Sequence, residues 1–391
     1  MSLIGQPVTI LGAGVAGLAL ARALALRGAS VTVLEQADAI REVGAGLQIS
    51  PNGATVLRAL GLPVDSISTR AEAVELRDGF DNSRVLRLDL ARLRPDMGWH
   101  FVHRADLIGL LATGARDAGV DIRLLTRIES VDLSGDRPRA ITAQGHVIES
   151  PLLVGADGLH SPARAALTGK VAPFFTHQVA WRAVLPSLPG EPNVAEVHMG
   201  PGRHLVSYPL RSGTLRNIVA VEERRRWVEE GWTLRDDPME LRLAFENFSP
   251  RVRGWLDQVQ DVWLWGLFRH PVAKRWHAVL PKGAMAILGD AAHPTLPFLA
   301  QGANMALEDA WALAAALSAS DSPAAALAAY QSARAPRTAR IVQAANASAR
   351  AYHLSGPTRS IAHAALRLGG VLAPGMALKR YDWIYRHDVT A

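Results

Sequence analysis

Val8-Thr9-Ile10-Leu11-Gly12-Ala13-Gly14-Val15-Ala16-Gly17 decides how the chain begins: four apolar β-formers, a glycine triplet, then a run with helical periodicity that stops at Gly28. A second β run, Ser30 to Leu34, follows it. Strand, glycine turn, helix and strand make a βαβ unit. Each glycine has a task there. The first makes the tight turn, the second lets the backbone approach a pyrophosphate, and the third allows close helix–sheet packing, while the helix N-terminus faces the phosphate charge. Glu35 ends the second strand 18 residues after Gly17, placed to accept hydrogen bonds from a ribose. A glycine triplet alone is a weak signal, but with both flanking elements and the acid it marks a dinucleotide site.

Working outward, Val74 to Leu90 reads as a hairpin broken at Asp78-Gly79 and Asp81-Asn82, Asp106 to Ala118 as a helix, and Asp121 to Leu125 as a strand followed by a hairpin to Val147. Leu152-Leu153-Val154 is a buried strand running into Gly155-Ala156-Asp157-Gly158. From Gln178 to Arg269 the β runs are rich in Trp, Pro and Gly, the mark of a largely antiparallel lobe. Ala284-Met285-Ala286-Ile287-Leu288 returns as a wholly apolar strand, suited to the centre of a parallel sheet. An alanine-rich helical region from Asn304 to about Ala351 and a tail with helical stretches close the chain. The expected fold is α/β: a discontinuous Rossmann-like nucleotide-binding domain (1–72, 98–177 and 270–345), a mostly antiparallel substrate-binding β lobe inserted in it (73–97 and 178–269), and C-terminal helices (346–391).

Length, composition and charge bound the function. At 391 residues, 49% hydrophobic and 20% charged, this is an ordinary globular chain of two to three domains. It has no cysteine, which excludes disulfide scaffolds, thiolate metal sites, iron–sulfur clusters and cysteine nucleophiles. Of its 42 basic residues only Lys170, Lys274, Lys282 and Lys379 are lysines. With no run of five cations and with acids interspersed, the net charge of +6 points to small anionic ligands more than to nucleic acid. No acid/histidine cluster has metal spacing, and no serine sits in a nucleophile elbow. Val8 to Leu26 is interrupted by three glycines and Arg22, so a membrane span is not expected and the cytoplasm is the default.

Two further segments specify the dinucleotide. Gly155-Ala156-Asp157-Gly158-Leu159-His160-Ser161-Pro162-Ala163-Arg164 and Leu288-Gly289-Asp290-Ala291-Ala292-His293-Pro294 each end a buried strand in an Asp. Taken alone, Asp157 ahead of Ser161 reads equally well as a helix cap. Taken with the glycine fingerprint, the two segments resemble the FAD-dependent aromatic hydroxylases, the family of para-hydroxybenzoate and salicylate hydroxylases. The resemblance runs over nearly the whole chain. It takes in Arg41-Glu42-Val43-Gly44-Ala45-Gly46 with Pro51-Asn52, His103-Arg104-Ala105-Asp106-Leu107, Trp181-Arg182 and the closing Asp382-Trp383-Ile384-Tyr385.

The resemblance implies tightly bound FAD, with NAD(P)H as a transient co-substrate. Glu35 would bind the adenosine ribose beside Gly12, Gly14, Ala16 and Gly17. Arg104 would contact the pyrophosphate region, and Asp290 the ribityl chain. Asp157-Gly158 is linked to both FAD and NAD(P)H binding, and Arg41, Gly46, Gln48 and Pro297 are further implied cofactor contacts. Gln301-Gly302-Ala303-Asn304 would lie under the isoalloxazine. That last placement also has a physical reading, since the loop enters a helix whose N-terminus favours the negative charge of a reduced flavin. Only one glycine fingerprint exists, as expected when the nicotinamide has no Rossmann domain of its own; Gly200-Pro201-Gly202 lacks the strand–helix setting.

The implied chemistry is hydroxylation of a small phenolic or hydroxylated N-heteroaromatic carboxylate with NAD(P)H and O2, through a flavin C4a-hydroperoxide. Such chemistry needs a dry pocket and a base near neutrality to ionise the ring hydroxyl, hence a histidine. Of 13 histidines, His204 stands out: in His204-Leu205-Val206-Ser207-Tyr208-Pro209-Leu210, strand alternation puts residues 204, 206 and 208 on one face. The stretch resembles the strand of 3-hydroxybenzoate and 6-hydroxynicotinate hydroxylases in which a His and a Tyr lie beside the substrate. Read without that resemblance, His204 is also a plain half-exposed sheet histidine. Gln301 has two readings of equal weight, a hydrogen bond to substrate or loop structure. His293 is expected in the flavin loop, and His100 and His103 in packing or capping. Trp181 lines the lobe or packs it.

Two alternatives stay open: a flavin monooxygenase acting on a larger polycyclic or antibiotic scaffold, and a flavoprotein without oxygenase turnover. Partners are expected to be the aromatic substrate and O2, without nucleic acid or stable membrane insertion, in a monomer or homodimer. The apolar tail from Ile361 to Leu378 is expected to pack on the core or a partner subunit.

Overall fold

A computed structural model describes residues 3–40, 45–187, 190–224, 226–228, 230 and 234–391. At its centre is a six-stranded sheet in the order His277–Leu280, Gly283–Ile287, Leu152–Gly155, Pro7–Leu11, Ser30–Leu34 and Asp121–Arg123. The pairs are parallel except for the His277–Leu280/Gly283–Ile287 hairpin at one edge. Leu152–Gly155 is buried throughout, as a strand covered on both faces must be. Helix Val15–Ala25 buries Leu18, Leu20 and Leu24 in the same core. Its alanines let it lie close against Gly302–Ala319, whose own buried stripe includes Leu307, Ala310 and Leu313.

An eight-stranded sheet forms the second layer, in the order Arg235–Asp236, Val262–Arg269, Phe174–Pro186, Leu215–Glu223, Arg203–Leu210, Val194–Gly200, Ala73–Asp78 and Arg84–Asp89. Its pairs are antiparallel with one exception. Val194–Gly200 runs parallel to Ala73–Asp78, because the 73–89 hairpin joins from a distant part of the chain. One face of this sheet buries Trp181, Leu205 and Ile218 against Leu241, Phe245, Val252 and Trp255, carried by helices Pro238–Ala244 and Pro250–Leu256 and the turn after the first of them. Alternation then turns His204, Val206 and Tyr208 toward the opposite face.

Where the sequence leaves 304–351 as one helical region, the chain makes two helices, Gly302–Ala319 and Pro323–Tyr352, separated at Ser320-Asp321-Ser322. Helix Gly356–Leu372 lies over the Arg84–Asp89 strand, while Ile361, Leu368, Val371 and Leu372 stay exposed. The tail is pinned by Arg94, which donates to both carboxylate oxygens of Asp382 at 3.1 Å, and by the Tyr385 ring 4.7 Å from that of Trp99. Among the described residues, no helix is long and apolar enough to cross a membrane.

Candidate active site

A crevice of about 2090 Å³ separates the two sheets. Sites for a single drug-sized ligand measure ~300–1,000 Å³, so this one has room for more than one such molecule.

The glycines at its floor divide by cause. Gly12 has φ +98°, and a Cβ there would lie 2.5 Å from the Ala156 carbonyl oxygen. A Cβ on Gly17 would lie 2.0 Å from the carbonyl oxygen of Gly12. The protein's own packing therefore demands both. Gly14 is different: a Cβ there meets nothing within 4 Å. What Gly14 leaves open is crevice, at the N-cap of helix Val15–Ala25, which no side chain caps. Uncapped N–H groups over free space form an anion cradle. Glu35 closes the turn, accepting from Ala13 N at 2.7 Å and Ala37 N at 2.9 Å while lining the crevice.

Asp157 does cap a helix. Its carboxylate accepts from Ala163 N at 3.1 Å and from the Ser161 hydroxyl, and Ser161 in turn accepts from Arg164 N at 2.8 Å. It also lines the crevice with Gly158, so capping and ligand contact are compatible here. Burial pushes its carboxyl up to about 6 despite those hydrogen bonds. Asp290 lies in the short turn Gly289–Ala291 that follows the neighbouring strand, exposed to the crevice. Removal from bulk water raises it as well, against the nearby positive charge of His293 and Arg104.

Helix Gly302–Ala319 points its N-terminus into the crevice, again without a side-chain cap, behind Ala300 in the left-handed region at φ 52°. Pro297, Gly302 and Ala303 line the crevice. Gln301 lines the crevice too, but its side chain, like that of Asn304 behind it, is almost wholly buried and held by hydrogen bonds. Asn304 donates to the Gln48 and Ala300 carbonyls at 3.0 and 2.7 Å, and its oxygen accepts from Ser50 N at 3.0 Å. Gln301 donates to Ser50 Oγ at 2.9 Å and accepts from Asn52 Nδ2 at 3.2 Å, so its side chain holds the loop. Gln48 lines the crevice and accepts from Trp99 Nε1 at 3.1 Å. Gly46 packs edge-on to Tyr208, and a Cβ there would lie 2.8 Å from the Tyr208 hydroxyl. Arg104 and Ala16 line the crevice too. Arg41 lies outside the described residues.

Against the eight-stranded sheet the crevice widens into a chamber. His204 and Tyr208 both line it and are almost wholly buried. Burial holds the Tyr208 phenol well above its usual range, so it stays a donor. Burial, then the neighbouring His353, holds His204 well below the usual histidine range and keeps it neutral, so it is not the near-neutral group expected from the sequence. His204 Nδ1 is 2.7 Å from His353 Nε2, and its ring lies 5.2 and 5.7 Å from those of Tyr352 and Phe298. Arg182 lines the chamber with its guanidinium 4.5 Å over the Trp265 ring. Trp181, one residue earlier, faces away into the core and donates to Asp236 at 2.7 Å.

Sequence reasoning passed over the support beneath the flavin loop. His293 Nε2 bonds Asp309, which also accepts from Gly289 N at 3.0 Å and Arg334 Nε at 2.7 Å. Next to it, Glu308 takes Asn52 Nδ2 at 2.6 Å and Arg337 at 2.8 Å. The only signal was the adjacent pair Glu308-Asp309 in an otherwise apolar helix. His353 was passed over as well, because it comes from the far end of helix Pro323–Tyr352. Among the described residues, no group of three or more metal-ligating side chains is placed to hold an ion.

Fold and crevice together define a flavin-dependent oxidoreductase, and comparison with known proteins gives its family. Residues 6–345 match the FAD binding domain family, and the chain belongs to it. It is 33% identical over 396 residues to a 3-amino-4-hydroxybenzoate 2-monooxygenase of Streptomyces platensis, covering 97% of this chain and 95% of the relative. It is 33% identical over 365 residues to a 3-hydroxybenzoate 6-hydroxylase of Klebsiella oxytoca, covering 90% of each. A salicylate hydroxylase solved with its substrate has the same fold, at TM-score 0.80 and 23% identity over 98% of this chain and 96% of that one. The chain is accordingly an FAD-dependent monooxygenase of the aromatic hydroxylase kind. The open cradle at Gly14, the crevice-facing Asp290 and the uncapped helix at Gly302 fit the phosphates, ribityl chain and ring of FAD.

Proposed function

We propose that the protein hydroxylates a small phenolic or hydroxylated N-heteroaromatic carboxylate, using NAD(P)H and O2. The observation that carries this reading is the pairing of His204 and Tyr208 on the chamber face of one strand, opposite the flavin loop. Both relatives named above act, by their names, on hydroxylated benzoates.

Glu35, Asp157, Asp290 and the N–H groups of the two uncapped helices would hold FAD, which when bound supplies the oxygen activation that no side chain can perform. The rest falls to this chain's residues. His204, kept neutral, takes the proton of the ring hydroxyl, and the phenolate so formed feeds electron density to the carbon to be oxidised. Tyr208, kept protonated, donates a hydrogen bond that orients the ring. Arg182 brings positive charge beside Tyr208 and suits an anionic substrate. Phe298, Val206, Met199 and Trp265 line the chamber and keep out the water that would divert activated oxygen.

A larger polycyclic substrate is the second reading. The crevice extends along an apolar wall of Leu86, Leu88 and Val197 to Leu366 and Gly370 of the C-terminal helix, which favours more bulk than one ring. A screen of monohydroxylated benzoates, pyridine carboxylates and polycyclic phenols for stimulated NAD(P)H oxidation tests both. Stimulation by one-ring acids with a hydroxylated product supports the first, and stimulation by polycyclic phenols alone supports the second.

A further inference from the structure

We propose that His204, His353 and Glu223 form a wire that carries the substrate's hydroxyl proton from the buried His204 to solvent. The inference rests on the reading of His204 as the base that receives this proton.

The geometry gives the wire a direction. Glu223 Oε1 is 2.8 Å from His353 Nδ1, and a carboxylate can only accept, so the hydrogen of His353 sits on Nδ1. His353 Nε2 is then the lone-pair nitrogen. It is 2.7 Å from His204 Nδ1, so it accepts from there and the hydrogen of His204 sits on Nδ1 as well. That leaves His204 Nε2 unprotonated on a ring that lines the chamber. One surface carboxylate thus fixes the tautomer of a buried imidazole two residues away, in the way that orienting partners fix metal-bound or catalytic histidines.

Exposure changes along the wire in the sense an exit needs: the His353 side chain is 3% exposed and that of Glu223 is 53% exposed. Backbone bonds hold the parts together, Gly202 N to the His353 carbonyl at 3.3 Å and Glu223 N to the Gly202 carbonyl at 2.8 Å. In each passage the substrate O–H breaks and Nε2–H forms on His204. Nδ1–H of His204 passes to His353 Nε2, and Nδ1–H of His353 passes to Glu223, which releases the proton to water. Both rings then carry hydrogen on Nε2, and the wire resets when the product's phenolate takes Nε2–H of His204 back and each hydrogen returns from the Glu223 side. The wire also answers a physical difficulty. Burial makes a lasting charge on His204 costly, so this residue must hand the proton on rather than store it. The other charged or titratable groups facing these rings are Arg203, paired with Glu222 at 3.4 Å, and Tyr352, pushed up to about 12 by burial and so neutral.

Two measurements on FAD-loaded protein separate the wire from the reading it rests on. Heteronuclear NMR of nitrogen-labelled histidine should show His204 and His353 neutral with hydrogen on Nδ1, and Glu223→Ala, which removes the acceptor, should abolish that preference at His204. Hydrogen on Nε2 of His204 in the wild type overturns the wire. With 3-hydroxybenzoate and 3-amino-4-hydroxybenzoate as probes, Glu223→Gln and His353→Gln should lower kcat about tenfold or more and enlarge the solvent deuterium isotope effect, with KM and FAD content unchanged. Glu223→Asp should recover most of the rate. Wild-type rates and isotope effects in both variants overturn the wire. If the wild type turns over neither probe, the substrate reading fails and the tautomers alone decide the wire.

Discussion

Arg334 and Asp309 meet 2.7 Å apart, both wholly buried, directly beneath the loop that enters helix Gly302–Ala319. Burial by itself would raise the Asp309 carboxyl, but the charges of His293 and Arg334 outweigh it and hold the group below its usual range. The same balance, dominated by Arg334, applies to Glu308. The cofactor loop therefore stands on an ion cluster as well as on the apolar packing of Leu296, Phe298 and Leu299.

Removing one partner leaves buried charge without compensation. Arg334→Ala should cost roughly 3–5 kcal/mol, read as a lower denaturation midpoint, and should loosen FAD retention. A variant within 1 kcal/mol of wild type, a deliberately generous margin of about a fifth to a third of that cost, contradicts the role given to the cluster.

Lowered carboxyl groups set an acid limit. Because Glu308 and Asp309 titrate lower in the folded chain than in the unfolded one, their contribution is complete above the ordinary carboxylate range and is lost as pH falls through their depressed folded values. Urea denaturation should show stability falling below about pH 4, with a shallower fall in Arg334→Ala.

Asp157 acts with the opposite sign. Its folded pKa of about 6 is raised, so its contribution is present at acid pH and is lost as pH rises through that value. In FAD-free protein, Asp157→Asn should remove a loss of stability between about pH 4 and pH 6. Identical pH profiles for wild type and variant would show that Asp157 is not buried as described.

Gly14 and Gly17 should respond differently to the same change. Gly17→Ala drives a methyl into the Gly12 carbonyl and should destabilise the apoprotein by about 1–3 kcal/mol or more. Gly14→Ala meets only open crevice, so the apoprotein should keep its melting temperature while FAD binds at least about tenfold more weakly. Equal FAD affinity in wild type and Gly14→Ala would mean the cradle lies elsewhere.

Much of this architecture could be read from local chemistry. The βαβ unit was legible because its turn needs glycine twice for backbone reasons and once for a ligand. The face shared by His204 and Tyr208 was legible because strand alternation is strict. What escaped depends on distant chain segments. Val194–Gly200 pairs in parallel with Ala73–Asp78, and no local pattern encodes a pairing across more than a hundred residues. His353 reaches His204 only through the length and placement of helix Pro323–Tyr352, and Gln301 was ambiguous because its partners Ser50 and Asn52 are equally remote.

The reading of His204 as base predicts separation of binding from chemistry. His204→Ala should keep FAD but slow hydroxylation by about 10²–10⁴-fold, with the fraction of NAD(P)H diverted to hydrogen peroxide rising. Unchanged coupled turnover would remove His204 from that role.

The most direct test follows one oxygen atom. The FAD-loaded protein is given NAD(P)H, isotope-labelled dioxygen and either 3-hydroxybenzoate or 3-amino-4-hydroxybenzoate, and the product is weighed by mass spectrometry. The account predicts accelerated NAD(P)H consumption and an aromatic product heavier by one labelled oxygen. Reduction of the flavin without any labelled aromatic product, for these and every other hydroxylated aromatic acid tried, would contradict it.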